Sequence, residues 1–346
     1  MKNLILIVAV VLRQVVIAQS TFYNAGNVEI HNEGQIGFHI DLRNDGSFTS
    51  KKGLAGFYSN DNTLYVYGEN KVAFRNMEVA VEENLQLLVS AEVSNSINFI
   101  NGKVVTPRGD KNVTLSFDND AVCTGENNKE YVDGYAAVNS DLEFTFPIGD
   151  DDRLRPASIQ NNIASQKFKA AYFYEDANYT TTLNKTFNTE NKQDNILEIS
   201  NEEFWDIDGQ APVNVTLTWD EYSNVANMTN NIKSLVVVGW SKIDREWKNL
   251  GKVEVTGDLY TGTVKSSTIF PDDYEVLTIA TELDSKTNNL DKSTVVETRL
   301  FDMTRRLVKT FGADEPVNFT GIAKGVYITD VYLSNGKNYA KKVVNR

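Results

Sequence analysis

An all-β fold is what this sequence predicts, and three observations predict it. Between about Phe22 and Phe117 apolar residues alternate at period two in bursts too short for helices, as in Ile36, Phe38, Ile40, Leu42 and then Leu85, Leu87, Val89. Turn-forming clusters such as Asn44-Asp45-Gly46, Glu82-Glu83-Asn84 and Asn101-Gly102 separate the bursts. Beyond residue 140 the alternating runs lengthen and take up aromatics, as in LEFTFPIG, FKAAYFYE and SLVVVGWSK.

At the N-terminus, Lys2 precedes the apolar run Leu4 to Leu12, and the small residue Ala18 precedes Gln19. This is the layout of a secretory signal peptide over residues 1–18, with cleavage expected between Ala18 and Gln19. Arg13 and Gln14 break the run well short of the ~20 apolar residues a spanning helix needs. No later stretch approaches that length, so the chain is not expected to span a membrane.

Residues 19–139 read as a β-solenoid-like region. Their bursts recur with Asn-x-Gly echoes at Asn32 to Gly34 and Asn44 to Gly46, the pattern expected when each coil buries its inward face against the next. A β-sandwich is the competing reading of these residues. Residues 140–283 read as an immunoglobulin-like β-sandwich, because their longer strands are spaced for hairpins and Greek-key crossings. All four tryptophans lie there. Trp219 and Trp240 sit in apolar alternating runs and are expected in the core. Trp205 and Trp247 have charged neighbours, which leaves core and exposed sugar-stacking positions both open.

A polar linker, 284–290, leads to a last module, 291–346, a small C-terminal β-sandwich. Ten Lys or Arg against six Asp or Glu give this module a net charge of +4, whereas the whole chain stands at −13, which leaves −17 for residues 1–290. Such asymmetry marks a separate unit. The turn Ser334-Asn335-Gly336-Lys337 signals a hairpin before a basic last strand.

The sequence RLFDMTRRLVKTF followed by GIAKGVYITDVYLSNGKNYAKKVVNR resembles the C-terminal sorting domain of type IX secretion substrates of Bacteroidota. The resemblance rests on Leu300, Phe301 and Asp302, on Lys324, Gly325, Val326 and Tyr327, on Gly336 and Lys337, and on Lys341 and Lys342 through Val344. It implies a sorting signal carried by Gly325, Tyr327, Gly336, Lys337, Lys341 and Lys342, with the type IX secretion machinery as partner. More loosely, FPIGDDDRLRP, EFWDIDG, VVGWSK and FINGKVVTP resemble gliding-motility-associated surface adhesins. The implied product is secreted or held at the cell surface, exported across inner and outer membranes.

Composition narrows the chemistry. Forty-seven acidic against thirty-four basic residues argue against nucleic acid as a partner. Two histidines, His31 and His39, and one cysteine, Cys123, leave little from which to build a zinc site, a disulfide framework or a Ser-His-Asp triad. Both histidines are expected at surface or edge positions, and Cys123 as a small buried apolar residue. The carboxylate candidates are Asp150, Asp151 and Asp152, then Asp206 with Asp208, and Asp272 with Asp273. Adjacent acids in a secreted β protein suit a solvated turn, a calcium site of loop oxygens or a glycosidase pair across a cleft. Calcium at Asp150 to Asp152 is therefore the one cofactor the pattern admits. Arg153 and Arg155 suit either pairing with the neighbouring aspartates or bidentate binding of a carboxylated polysaccharide.

The expectation is a non-enzymatic, exported surface protein of the adhesion or gliding-motility type, with cell-surface proteins or polysaccharide as partners. The alternative is a secreted carbohydrate-active protein, either a polysaccharide lyase or a glycan-binding module.

Overall fold

The computed structural model describes residues 20–140, 142–161, 166–283, 295–313, 315–334 and 338–345. The expected signal peptide with its Ala18 and Gln19 cleavage point, the linker 284–290, and Gly336 with Lys337 lie outside them. The chain is nearly all β and divides into two compact units, Met1–Glu282 and Leu283–Arg346. Among the described residues no helix is long and apolar enough to cross a membrane.

The first unit opens as a parallel β-solenoid of about six turns with three faces. One face stacks Thr21–Asn24, Asp41–Asn44, Leu64–Tyr67, Leu85–Leu87, Val104–Val105, Val132–Asp133 and Ile148–Asp150. The second begins at Asn27–Val28 and Ser47–Thr49, and the third at Gln35–Phe38 and Leu54–Ser59. Val72–Val81 and Ala91–Asn101 each run through the second and third faces, with a register break between Val93 and Ser96.

Period two produces this coil because alternate residues within the strands fall in register as inward columns; Ile40, between the strands Gln35–Phe38 and Asp41–Asn44, departs from the pattern and is 38% exposed. Leu64, Leu85, Val104, Val132 and Ile148 form one such column, each at most 4% exposed. Ile36, Ala55, Met77, Ile97 and Cys123 form another, which gives Cys123 the role of a small apolar residue. Each fully buried aliphatic side chain contributes roughly 1.5–3 kcal/mol. Phe38 and Phe57 stack at 5.0 Å, and Phe48 and Phe74 meet edge to face at 5.4 Å.

The coil corners are closed by amides. Asn24 Nδ2 donates to Asn44 Oδ1 at 2.7 Å inside the coil, and Asn44 Nδ2 donates to the carbonyls of Asn70 and Lys71. Gly68 follows with φ +128°, where a Cβ would lie 2.3 Å from the Asn44 carbonyl oxygen. The mate of Asn44-Asp45-Gly46 is thus Asn24-Ala25-Gly26; Gly34 occupies a different corner, under Gly53.

The second face continues beyond the coil. Ala136–Ser140 pairs in parallel with Leu115–Asp118 and antiparallel with Gln166–Phe173, so strand pairing passes directly through residues 139 and 140. The sheet then extends through Phe204–Gly209, Tyr274–Glu282, Leu235–Ser241 and Trp247–Asn249. A five-stranded antiparallel sheet, Glu143–Phe146, Ala157–Asn161, Val213–Trp219, Gly262–Ile269 and Glu254–Gly257, supplies the second layer of the sandwich. One apolar core runs from Phe38 in the coil to Ile279 in the sandwich. Ala177, Phe187, Ile196 and Ile199 cover the other side of the extended sheet, against Phe173, Phe204, Trp240 and Trp247.

The second unit is a four-stranded antiparallel sheet in the order Leu307–Gly312, Val295–Asp302, Gly325–Leu333, Asn338–Asn345. Leu300, Phe311 and Tyr327 form its core, and the layer facing them is the coil that carries Phe319 and Ile322.

Candidate functional site

The Asp150 to Asp152 run is a hairpin tip. Gly149 and Asp150 pair with Leu154 and Arg153, and the two turn residues, Asp151 and Asp152, have φ +47° and +56°. Two positive φ values at the centre of a two-residue loop suit the twist of the flanking strands, and Asp tolerates them better than most residues.

The three carboxylates then diverge onto three different cations. Asp150 lies 3.1 Å from Arg108 and accepts the Tyr174 N–H at 3.0 Å. Asp151 pairs with Arg153 at 2.8 Å, and Asp152 with Lys103 at 2.9 Å. Burial raises the Asp150 pKa above the ordinary carboxylate value, with Arg108 pulling the other way. The Lys103 hydrogen bond lowers that of exposed Asp152. Among the described residues no group of three or more His, Cys, Asp or Glu side chains converges as metal ligands would.

Arg108 is the hub beneath this tip. It donates to Asp133 Oδ1 through both Nε and an Nη, at 3.0 and 2.7 Å, and to the carbonyls of Tyr172 and Gly149, with its guanidinium 4.9 Å over the Phe173 ring. Arg153 lies between Tyr174 and Tyr222, at 3.8 and 4.7 Å from the ring centroids.

Arg155 points into the sandwich, away from the neighbouring aspartates. Its Nε donates to Glu203 Oε2 at 3.0 Å and an Nη to Asp220 at 2.6 Å, while the Tyr172 hydroxyl donates to the same Glu203 oxygen at 2.6 Å. Burial raises the Glu203 pKa and Arg155 opposes the shift. Glu203, which immediately precedes the strand Phe204–Gly209 in EFWDIDG, is the site residue that the sequence reading missed; it stands beside Glu202 in an acid-rich stretch, so nothing local marks it out.

Asp206 and Asp208 do lie together. They share one side of the strand Phe204–Gly209, and Lys111 closes the gap between them at 2.6 and 3.0 Å. Both acids lie on a strand, and an ammonium sits between them. The Tyr135 hydroxyl donates to Asp206 at 2.8 Å. Burial drives the Asp206 pKa upward against Lys111.

Beside them an open cleft of about 450 Å³ is lined by Lys167, Lys169, Asp208, Gly209 and Asp272. Asp272 accepts the Gly209 N–H at 2.7 Å. Burial, with Lys167 adding to it, lowers the Lys169 pKa.

Every tryptophan is buried. Trp205 and Trp247 are 0% exposed, so neither is a stacking platform for sugar. Their indole N–H groups donate inward, to the carbonyls of Arg155 and Phe187, both at 3.2 Å. His31 is exposed 3.8 Å from Glu29, and His39, also exposed, lies against Tyr58. In the second unit, Gly325 opens the third strand of the chain order and Tyr327 is buried with its hydroxyl donating to the Ala323 carbonyl at 2.7 Å. Lys341 and Lys342 are exposed on the last strand, opposite Thr329 and Ile328.

The chain matches no protein-family model, no curated protein and no solved structure.

Proposed function

We propose that this is an exported cell-surface protein of the adhesion or gliding-motility type, delivered by the type IX secretion machinery and acting as a non-catalytic binding or structural component. One observation carries the reading: Asp150, Asp151, Asp152, Asp206 and Asp208 each meet a lysine or arginine of the chain within 3.1 Å. Acid-base glycoside chemistry needs two carboxyls aimed at a substrate across a cleft, and pairs tied to fixed cations serve the scaffold instead. The separate second unit, with Lys341 and Lys342 exposed on its terminal strand, supports its role as the sorting module.

Localisation of the tagged chain in wild-type and secretion-deficient cells tests the export reading. Removal of residues 291–346 is expected to leave a folded protein held in the periplasm; full surface delivery of the truncated chain overturns the assignment.

A second reading, glycan recognition, is favoured by one row on the outer solenoid surface. Tyr23, Arg43 and Tyr67 are cross-strand neighbours there, with the Arg43 guanidinium 5.1 Å from the Tyr23 ring and Tyr23 58% exposed. Two rings separated by two strand spacings stand ~10 Å apart, a span suited to successive pyranose rings. Retention on immobilised polysaccharide that is lost in Tyr23→Ala would favour this reading.

A further inference from the structure

A groove of about 330 Å³ lies where the third face of the solenoid, ending at Val122–Thr124, meets the sandwich. Two strands line it. Val122–Thr124 pairs with Ala91–Asn101 on one side, and among the described residues nothing pairs with its other edge. Glu143–Phe146 pairs with Ala157–Asn161 and is the outermost strand of the five-stranded sheet. Among the described residues both therefore offer unpaired backbone N–H and C=O groups, the template on which an extended chain adds as a further strand.

The groove has an apolar floor and an acidic rim. Ala121, Cys123, Phe144, Pro147 and Pro156 line its apolar part, with Phe144 only 6% exposed and packed 5.4 Å from Phe117. Burial, with Glu126 adding to it, pushes the Cys123 thiol up to about 12, so this sulfur contributes apolar surface and little nucleophile. Asp120, Glu126 and Glu143 border the groove, and none of them is joined to a lysine or arginine among the described residues.

That charge selects the occupant. A second copy of this chain would bring the same three acids to the same edges, and like charges on a strand edge oppose self-pairing. We propose that the groove captures an extended, cationic peptide segment of a partner protein by strand addition. Alternate side chains of the segment rest on the Phe144 floor, and the basic ones between reach Glu126 and Glu143. This inference goes beyond the export reading and does not depend on it, since it concerns binding by the purified protein.

The test uses the purified full chain and a fluorescein-labelled, end-capped peptide of alternating Lys and Val, followed by anisotropy. Binding is expected to weaken about tenfold or more in Glu126→Lys/Glu143→Lys, whose changes fall on rim side chains, and to be unchanged in the remote Glu190→Lys. A peptide N-methylated at alternate residues keeps its charge but loses backbone donors, and about tenfold weaker binding is expected for it too. Absence of binding overturns the proposal. So does equal binding of the methylated peptide, which would reduce the contact to charge alone, or equal binding by the double variant. Sedimentation showing a dimer that the peptide cannot disrupt would assign the edges to a second copy and also overturn it.

Discussion

Arg155 and Glu203 form an ion pair at 3.0 Å with side chains only 3% and 1% exposed, joining the edge of the coil to the sandwich sheet across 48 residues of sequence. Removing Arg155 strands the Glu203 carboxylate in a low-dielectric interior, at a cost of about 3–5 kcal/mol, whereas removing Glu203 leaves Arg155 its second partner, Asp220, at 2.6 Å. Arg155→Met is therefore expected to lose this much in urea unfolding. Arg155→Met/Glu203→Leu should recover most of it, because well-packed apolar replacements relieve both desolvation costs. An Arg155→Met loss below about 1 kcal/mol would mean that the pair contributes no more than an exposed one.

Asp150 makes stability depend on pH with a definite sign. Burial raises its folded pKa above the unfolded value, and Arg108 offsets only part of this. The folded state therefore holds the proton to higher pH, so the contribution is present below the ordinary Asp value of about 3.9 and is lost as pH rises through the folded pKa. Relative to Asp150→Asn, the wild-type protein should lose stability as pH rises from about 3.5 towards 7. Urea midpoints of the two proteins across that range measure it. A wild-type advantage that grows with pH would reverse the assigned sign.

Calcium is expected to leave the hairpin tip unaffected. An ion there would have to displace Lys103, Arg108 and Arg153 from carboxylates they already hold within 3.1 Å. Melting curves with calcium and with chelator should coincide; bound calcium at a hundred times its Kd would separate them by about 2.7 kcal/mol. Such a shift, abolished in Asp151→Asn, would restore the tip as a metal site.

The coil was legible because its signal is local and repeated. Period two fixes which residues of each strand face inward, and Asn44 to Gly46 marks a corner without any knowledge of its partner. The pairing between corners was less legible: Asn44 stacks on Asn24, 20 residues earlier, rather than on the nearer Asn32. The sandwich tryptophans show why charged neighbours mislead. On a strand, adjacent side chains leave opposite faces. Asp206 turns to Lys111 and Tyr135 while Trp205 enters the core on the other side. Glu203 was hidden for a different reason, since its partner Arg155 is brought to it only by the packed sheets. The groove at Glu143 and Val122 lies between two strand edges, and edges are defined by strand order, which one-dimensional patterning leaves open.

Gly102 should be among the least replaceable residues of the coil. It follows Asn101 at the corner after the longest solenoid strand, with φ +81°, and a Cβ there would lie 1.8 Å from the Val81 carbonyl oxygen of the coil below. No rotamer relieves that contact, because both atoms belong to the backbone framework. Asn84, at φ +70°, completes the corner by accepting the Lys103 N–H on its side chain at 2.9 Å, so the chain path is held from both sides. Gly102→Ala must either shift two stacked corners apart or force an alanine into a left-handed conformation, and a destabilisation of about 1–3 kcal/mol is expected. Gly109→Ala is the matched control, since a Cβ there meets nothing within 4 Å. It should change stability by no more than about 1 kcal/mol in either direction. Urea unfolding of both variants decides the matter: an equal, small effect at the two glycines would mean that the corner relaxes freely and that stacked backbone contacts do not set the coil spacing.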